Sequence, residues 1–257
     1  MPVFRKHLKN LLQQLTGSDI ERYGEKCFAL INRSRRKDAW FSYDAQIRTL
    51  IEKQNIDLIL DVGANEGQFA QKMRSFYPGD IHSFEPVSSA FDKLARIASS
   101  DRHWYVHNCA LGSQESIRTI NVANLTVFSS LLKPNDYCAE RFGGQSLGMK
   151  EEAISVRRMD KLLDEILPGI ASRRALLKMD TQGYDLEVFN GLGNALKHVV
   201  ALQSEVSLVS IYEGMPHWLE SISVYETRGF GVVGMFPISQ DSNRVIEYDC
   251  LLVRCNT

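Results

Sequence analysis

The sequence predicts an α/β protein with a mostly parallel sheet covered by helices on both faces, and three observations predict it. Short, nearly continuous apolar runs recur at residues 56–61, 175–180 and 199–206, as strands buried on both faces require. Segments with apolar residues at three- and four-residue spacing stand between such runs, the alternation that builds parallel crossovers. The chain then closes on two adjacent strands joined by a polar loop, which completes a seven-stranded sheet with one antiparallel strand near an edge.

In chain order, residues 1–55 read as an N-terminal helical appendage, broken near Gly17-Ser18-Asp19 and again over residues 32–38. Trp40, Phe41, Asp44, Ile47, Leu50 and Ile51 place a mostly apolar stripe at helical spacing, best read as core packing. Residues 56–257 read as one α/β domain. Ile56 to Asp61 is its first strand, and Phe69, Ala70, Met73, Phe76 and Tyr77 mark a helix stopped by Pro78-Gly79. Asp80 to Glu85 is a second strand. The helix after Pro86 carries Ala90, Phe91, Leu94, Ile97 and Ala98 on one side, with Ser88 or Ser89 as candidate caps. Residues 103–108 give a third strand. Extended segments are expected at 116–122, 127–132 and 153–158, with a polar loop over 133–151. A strand over 175–180, a helix over 184–196, a strand over 199–206 and a helix from Met215 to a stop at Gly229 follow. Strands near 230–236 and 245–253 close the chain.

Composition narrows the partners. Of the residues, 44% are apolar and 24% charged, as in an ordinary globular protein. The formal net charge of −1 gives no global attraction to polyanions. Charge is uneven, however: residues 1–56 hold 11 Lys and Arg against 6 Asp and Glu, densest at Arg33, Arg35, Arg36 and Lys37. This cluster reads first as a solvated helix end, and second as a contact with an acidic membrane surface or an anionic substrate. Five cysteines without a C-x-x-C pair suggest neither a disulfide framework nor a zinc knuckle. With no apolar run of about 20 residues and no leader-like start, a cytoplasmic protein without a transmembrane segment is expected. Nothing resembles an RNA- or DNA-binding motif, so no nucleic-acid partner is expected. Oligomeric state is not legible.

Open α/β sheets bind ligands beyond the carboxyl ends of their strands. The first strand ends in Asp61-Val62-Gly63-Ala64-Asn65-Glu66-Gly67, whose glycines permit a tight turn and close backbone approach. Asn65 replaces the second glycine of the dinucleotide fingerprint and the third arrives one residue early, which crowds a pyrophosphate. A ligand with a methionine moiety has no such demand. Glu85 ends the second strand, 24 residues beyond Asp61, where a carboxylate can accept from both hydroxyls of a ribose.

At these residues the sequence resembles the FkbM-type methyltransferases, over residues 56–255. The resemblance rests on the 61–67 turn, Ser83-Phe-Glu-Pro86, Asn108-Cys-Ala-Leu-Gly112, Leu177-Lys-Met-Asp-Thr-Gln-Gly-Tyr184, Leu202-Gln-Ser-Glu-Val206, Tyr212-Glu-Gly214 and a late strand bearing Asp249. It implies a Rossmann-like class I methyltransferase fold, S-adenosyl-L-methionine as cofactor, and O-methylation of a hydroxyl on a sugar, glycolipid or secondary metabolite. It also implies the site. Asp61, Gly63, Asn65 and Gly67 would take the methionine end, Glu85 the ribose, and Asn108 with Ala110 the adenine edge, with Phe69 and Pro86 in the same cofactor set. Asp180 and Gln182 would face the reacting methyl group, and many members carry Glu where this chain has Gln182. Asp180 would be the general base or the carboxylate that orients a small-molecule or glycan acceptor, with Glu205 beside it. A purely cofactor-holding Asp180 is the alternative.

Other signals yield to plainer readings. Gly144-Gln-Ser146-Leu-Gly148 fits a hydrolase nucleophile pattern, but it lacks the preceding apolar strand and following helix; a loop over the acceptor site fits better. The six histidines show no metal-ligand spacing on a predicted helix. Asp180, Glu205 and Asp249 could gather a divalent ion, although strand-end carboxylates more often serve catalysis or hydrogen bonding. The competing functions are a nicotinamide-dependent oxidoreductase, which needs the missing glycines, and a cofactor-binding scaffold without turnover.

Overall fold

Alternating buried strands and one-sided helices build the sheet system seen in the computed structural model, which describes residues 42–143 and 150–255. The chain divides between Gln46 and Ile47 into two units, and the whole sheet system lies in Ile47–Thr257. The helices expected before residue 42, the Arg33 to Lys37 cluster and the Gly144 to Gly148 loop lie outside the described residues.

Helix α1 (Tyr43–Lys53) buries Ile47, Leu50 and Ile51. Strand β1 (Leu58–Val62) is buried at every position. Helix α2 (Gln68–Arg74), β2 (Asp80–Phe84), α3 (Ser88–Ala98) and β3 (Trp104–His107) complete the first parallel units. The cap expected at Ser88 or Ser89 is instead Val87, without a side-chain bond; the Ser88 hydroxyl donates to Glu152, 64 residues further along the chain. Next come β4 (Ala110–Leu111), β5 (Ser116–Val122), α4 (Asp136–Phe142), β6 (Lys150–Arg157) and α5 (Met159–Ile166). The second half follows as β7 (Ala175–Met179), α6 (Asp185–Asn190), β8 (Val199–Ser207), α7 (Trp218–Thr227), β9 (Phe230–Asp241) and β10 (Arg244–Arg254).

Seven strands pair in the order β3-β2-β1-β7-β8-β10-β9. All pairings from β3 to β8 are parallel. Strand β10 runs antiparallel to both β8 and β9, so it is the one antiparallel strand that the sequence leads one to expect. The order reverses at β1, from which β2 lies on one side and β7 on the other, so a crevice opens at the carboxyl end of β1. The fold is Rossmann-like, as the strand order and the parallel pairings show.

The middle of the chain departs from expectation. Strands β4, β6 and β5 form a separate three-stranded sheet, whose core of Ile120, Ile154 and Val156 packs with Val87 and Ala90. Residues 127–132, expected as extended, begin with a 3-10 turn at Thr126–Phe128 and pair with β5 at the single Asn121–Ser130 bridge rather than as a strand. The stretch expected as loop over 133–151 contains α4, because Asn135 caps it by accepting from the Cys138 N–H at 2.9 Å and Cys138 is buried. The helix expected over 184–196 breaks after Asn190 and continues as a 3-10 turn at Gly193–His198, Gly193 having φ of 45°. No helix among the described residues is long and apolar enough to cross a membrane.

Candidate active site

The crevice beside β1 is a cleft of about 450 Å³, within the range of small-molecule sites. One wall is the turn after β1. Gly63 has φ of 73°, and a Cβ there would sit 1.9 Å from the Asp180 carbonyl oxygen, so only glycine lets the two strand ends meet. Beyond it, Asn65 also adopts a left-handed φ of 47°. Glu85 braces this turn, its Oε2 accepting from the Asn65 N–H and its Oε1 from the Val87 N–H, each at 2.8 Å. Burial pushes the Glu85 carboxyl up to about 7, although those two N–H groups pull the other way.

Of the residues that the sequence points to, Gly63, Asn65, Phe69, Glu85, Pro86, Ala110, Asp180, Gln182 and Glu205 line this one cleft. Asp61, Gly67 and Asn108 stand behind its wall. Asp61 is fully buried; its Oδ2 accepts from the Ser83 hydroxyl at 3.0 Å, and that hydroxyl accepts from the Trp104 indole at 2.9 Å. Gly67, at the start of α2, lies where a Cβ would meet Leu94 and Trp104 at 2.9 Å. Asn108 donates to the Glu85 and Pro86 carbonyls at 3.0 and 3.2 Å, fixing the backbone that carries Glu85.

Sequence reasoning missed four polar residues here. Lys178, inside β7, is 4% exposed; its ammonium lies 3.1 Å from Asp61 Oδ1 and 3.5 Å from Asp180 Oδ2 and donates to the Gly63 carbonyl at 2.8 Å. Burial would lower this lysine, but Asp61 and Asp180 outweigh it and hold it above the ordinary lysine range. A charged residue in the centre of an otherwise apolar strand is the signal that could have found it. Asp185 ties the turn after β7 to β8, accepting from the Thr181 N–H, the Ser204 hydroxyl and the Glu205 N–H at 2.9, 2.8 and 3.1 Å. Tyr212 reaches Gln182, and Glu247 joins the lining from β10.

The far end of the cleft is acidic. Register pairs Asp249 with Glu205 and Glu247 with Ser207, so all four side chains share one face of the β8/β10 pair. Burial first, then the neighbouring Asp180 and Glu247, push Glu205 well above the usual carboxylate range. Burial also raises Glu247, against hydroxyl donors Ser207 and Ser239, each at 3.1 Å. Burial takes Asp249 to about 6, and its Oδ1 accepts from Gln203 Nε2 at 3.0 Å. No group of three metal-ligating side chains gathers among the described residues. The outer wall is Thr126 to Leu131, where the Thr126 hydroxyl donates to Asn65 Oδ1 at 2.8 Å.

The sequence pattern described as the Methyltransferase FkbM domain matches residues 61–230, from Asp61 near the end of β1 to the first residue of β9. No curated protein matches the chain. Among solved structures it is similar to an rRNA methylase from Streptococcus thermophilus, at 11% identity over 78% of this chain and 88% of that one, with a TM-score of 0.39. It is similar also to fibrillarin from Aeropyrum pernix in complex with S-adenosyl-L-methionine, at 10% identity, 77% and 66% coverage and a TM-score of 0.43. A third is the magnesium protoporphyrin IX methyltransferase from Synechocystis PCC 6803 with bound SAM, at 7% identity, 82% and 79% coverage and a TM-score of 0.43. Likenesses this distant say nothing of an acceptor. The match from the glycine turn onward is decisive on its own, and the chain belongs to the FkbM methyltransferase family.

Proposed function

We propose that the protein is an S-adenosylmethionine-dependent methyltransferase that methylates a hydroxyl oxygen of a sugar, glycolipid or secondary metabolite. One observation carries the reading: the glycine turn, Glu85 and the acids Asp180 and Glu205 line a single cleft in a member of this family. The cofactor's fit is supported by Gly63, whose missing side chain lets the turn close on Asp180, and by Glu85, a buried carboxyl at the second strand end. The cofactor supplies, when bound, a methyl group on a positively charged sulfur.

The chain's own part follows from its groups. Glu85, with one backbone donor on each oxygen, keeps a lone pair on each for ribose hydroxyls. Asp61 and Gly67 hold the turn from behind, and Asn108 holds the Glu85 backbone. Asp180 is the half-open carboxylate of the cleft; it orients the acceptor hydroxyl and takes its proton, with Glu205 as its half-buried neighbour. Because burial holds Glu205 above the ordinary range, it accepts a proton more readily than a surface carboxylate. A soluble, cytoplasmic location belongs to the same reading.

Asp180→Asn should lower methyl transfer about a hundredfold or more while calorimetry still detects S-adenosylhomocysteine binding. The direct test incubates the protein with S-adenosylmethionine and cell extract and searches by mass for a metabolite that gains one methyl group only when both are present. No heat with either nucleoside would overturn the reading. A nicotinamide cofactor that raised the melting temperature instead would replace it with the oxidoreductase.

A further inference from the structure

Gln182 sits in the turn after β7 with a left-handed φ of 53°, an uncommon conformation for a residue with a side chain. The Ser130 hydroxyl donates to its carbonyl at 2.8 Å. Its side-chain amide points in two chemically opposite directions. Nε2 donates to Glu205 Oε2 at 2.8 Å and lies 3.3 Å from Asp180 Oδ1. Oε1 accepts from the Tyr212 hydroxyl at 2.8 Å, the same hydroxyl lying 3.1 Å from the Phe128 carbonyl oxygen.

An amide is asymmetric, its oxygen only accepting and its nitrogen only donating. Reversed, Gln182 would set an oxygen against two carboxylates at once. The Tyr212 ring is fully buried among Cys138, Ile211 and Ile246, so its hydroxyl arrives at Oε1 from a fixed direction. Donation to Oε1 also polarises the amide and strengthens the N–H bond to Glu205.

We propose that Tyr212 is a positioning residue for the reaction, acting through Gln182: its hydroxyl fixes the amide with nitrogen toward Asp180 and Glu205, so that Glu205 meets the cleft as a carboxylate. This rests on reading the cleft as the methyl-transfer site. The setting makes such a donor necessary. Asp180 beyond β7, Asp185 on α6, and Glu247 and Asp249 on β10 all press Glu205 toward its neutral form, and the nearby cation, Lys178, is engaged by Asp61 and Asp180.

The test is a carboxyl-carbon NMR titration of glutamate-labelled protein, with Glu205 assigned through Glu205→Gln, which requires neither cofactor nor acceptor. Tyr212→Phe keeps the ring and should raise the Glu205 midpoint by about one pH unit. Methyl transfer near neutral pH should fall by about the corresponding tenfold factor and recover as pH rises. Gln182→Met removes the donor and should raise the midpoint in the same sense, which keeps the proposal testable if Tyr212→Phe folds poorly. In a Gln182→Glu background there is no amide to orient, and losing the hydroxyl leaves the introduced carboxylate itself more readily protonated, so adding Tyr212→Phe should leave the Glu205 midpoint unmoved or lower it rather than raise it. An unmoved midpoint in Tyr212→Phe and Gln182→Met, or an equal shift with glutamine and glutamate at 182, would overturn the proposal and leave Tyr212 a packing residue. A Glu205 that responds as stated in a protein that transfers no methyl group would support the positioning and count against the proposed function alone.

Discussion

Removing the Lys178 ammonium would strand Asp61, which is fully buried and lies 3.1 Å from it. Breaking one side of a buried ion pair costs about 3–5 kcal/mol, so Lys178→Met should lower the denaturation midpoint sharply. Asp61→Asn in the same chain should return part of that loss, and two additive losses would show the pair to be uncoupled. Residues of this kind mark the limit of legibility. Gly63 and Glu85 could be found because turn chemistry and strand-end position announce them in one dimension, and Asp180 and Glu205 through the motifs that carry the family resemblance. Lys178 carried a signal that went unread, whereas Asp185, Tyr212 and Glu247 could not be found, because their roles depend on partners brought close by the fold: Tyr212 meets Gln182 from 30 residues away. Asp61 and Asn108 illustrate the converse, since a motif tells that a residue is near the cleft but not whether it lines it.

Among the elements, strands and long helices with strong periodicity were readable to within a few residues, and the short ones were not. Helix α4 has seven residues and one fully buried side chain, Cys138, so it shows no apolar stripe, and Asn135 supplies what periodicity does not. Asn135 accepts from the Cys138 N–H at 2.9 Å and donates to the Ser210 carbonyl at 2.8 Å. Asn135→Ala should therefore destabilise by about 1 kcal/mol and speed amide exchange across residues 136–142, while β1 and β7 keep their protection. Uniform acceleration throughout the chain would refute a local cap. The three-stranded sheet was legible only in part: β5 and β6 fall on the extended segments expected at 116–122 and 153–158, but β4 has only two residues, and β5 exposes four of its seven, so no apolar pattern announces that the three pair as a sheet of their own.

Across the whole molecule, burial acts on acids and bases with opposite sign. His82 and His107, 3.1 Å apart on the β2/β3 side, are both held down to about 4 by burial. Between about 4 and 6.5 the unfolded chain binds more protons at these rings than the folded one, so they make stability rise with pH. Glu85, held up at about 7 against 4.5, does the reverse: the folded state binds the extra proton, and stability falls as pH rises through that window. The two trends overlap in the wild type, so the difference from Glu85→Gln isolates the acid. Between pH 5 and 8 that difference should move by ~3 kcal/mol in favour of the variant, read by denaturant unfolding without ligand; a difference constant with pH would remove the basis for a neutral Glu85. Ribose hydroxyls donating to Glu85 favour its ionised form, so nucleoside binding should tighten as pH rises through about 7 in the wild type and not in the variant.

Strand β10 lies between β8 and β9 and yet follows both in the chain. As the polypeptide is synthesised, β8 is left an unfinished margin and β9 has nothing to join until residues 244–254 emerge. Glu247 arrives on that same late strand. A nascent chain can thus assemble the crevice wall beside β1 and Glu85 on the ribosome, while the acidic end that Glu247 completes waits for β10 to slide in, a stage at which the bare β8 border is open to mispairing and to holding chaperones.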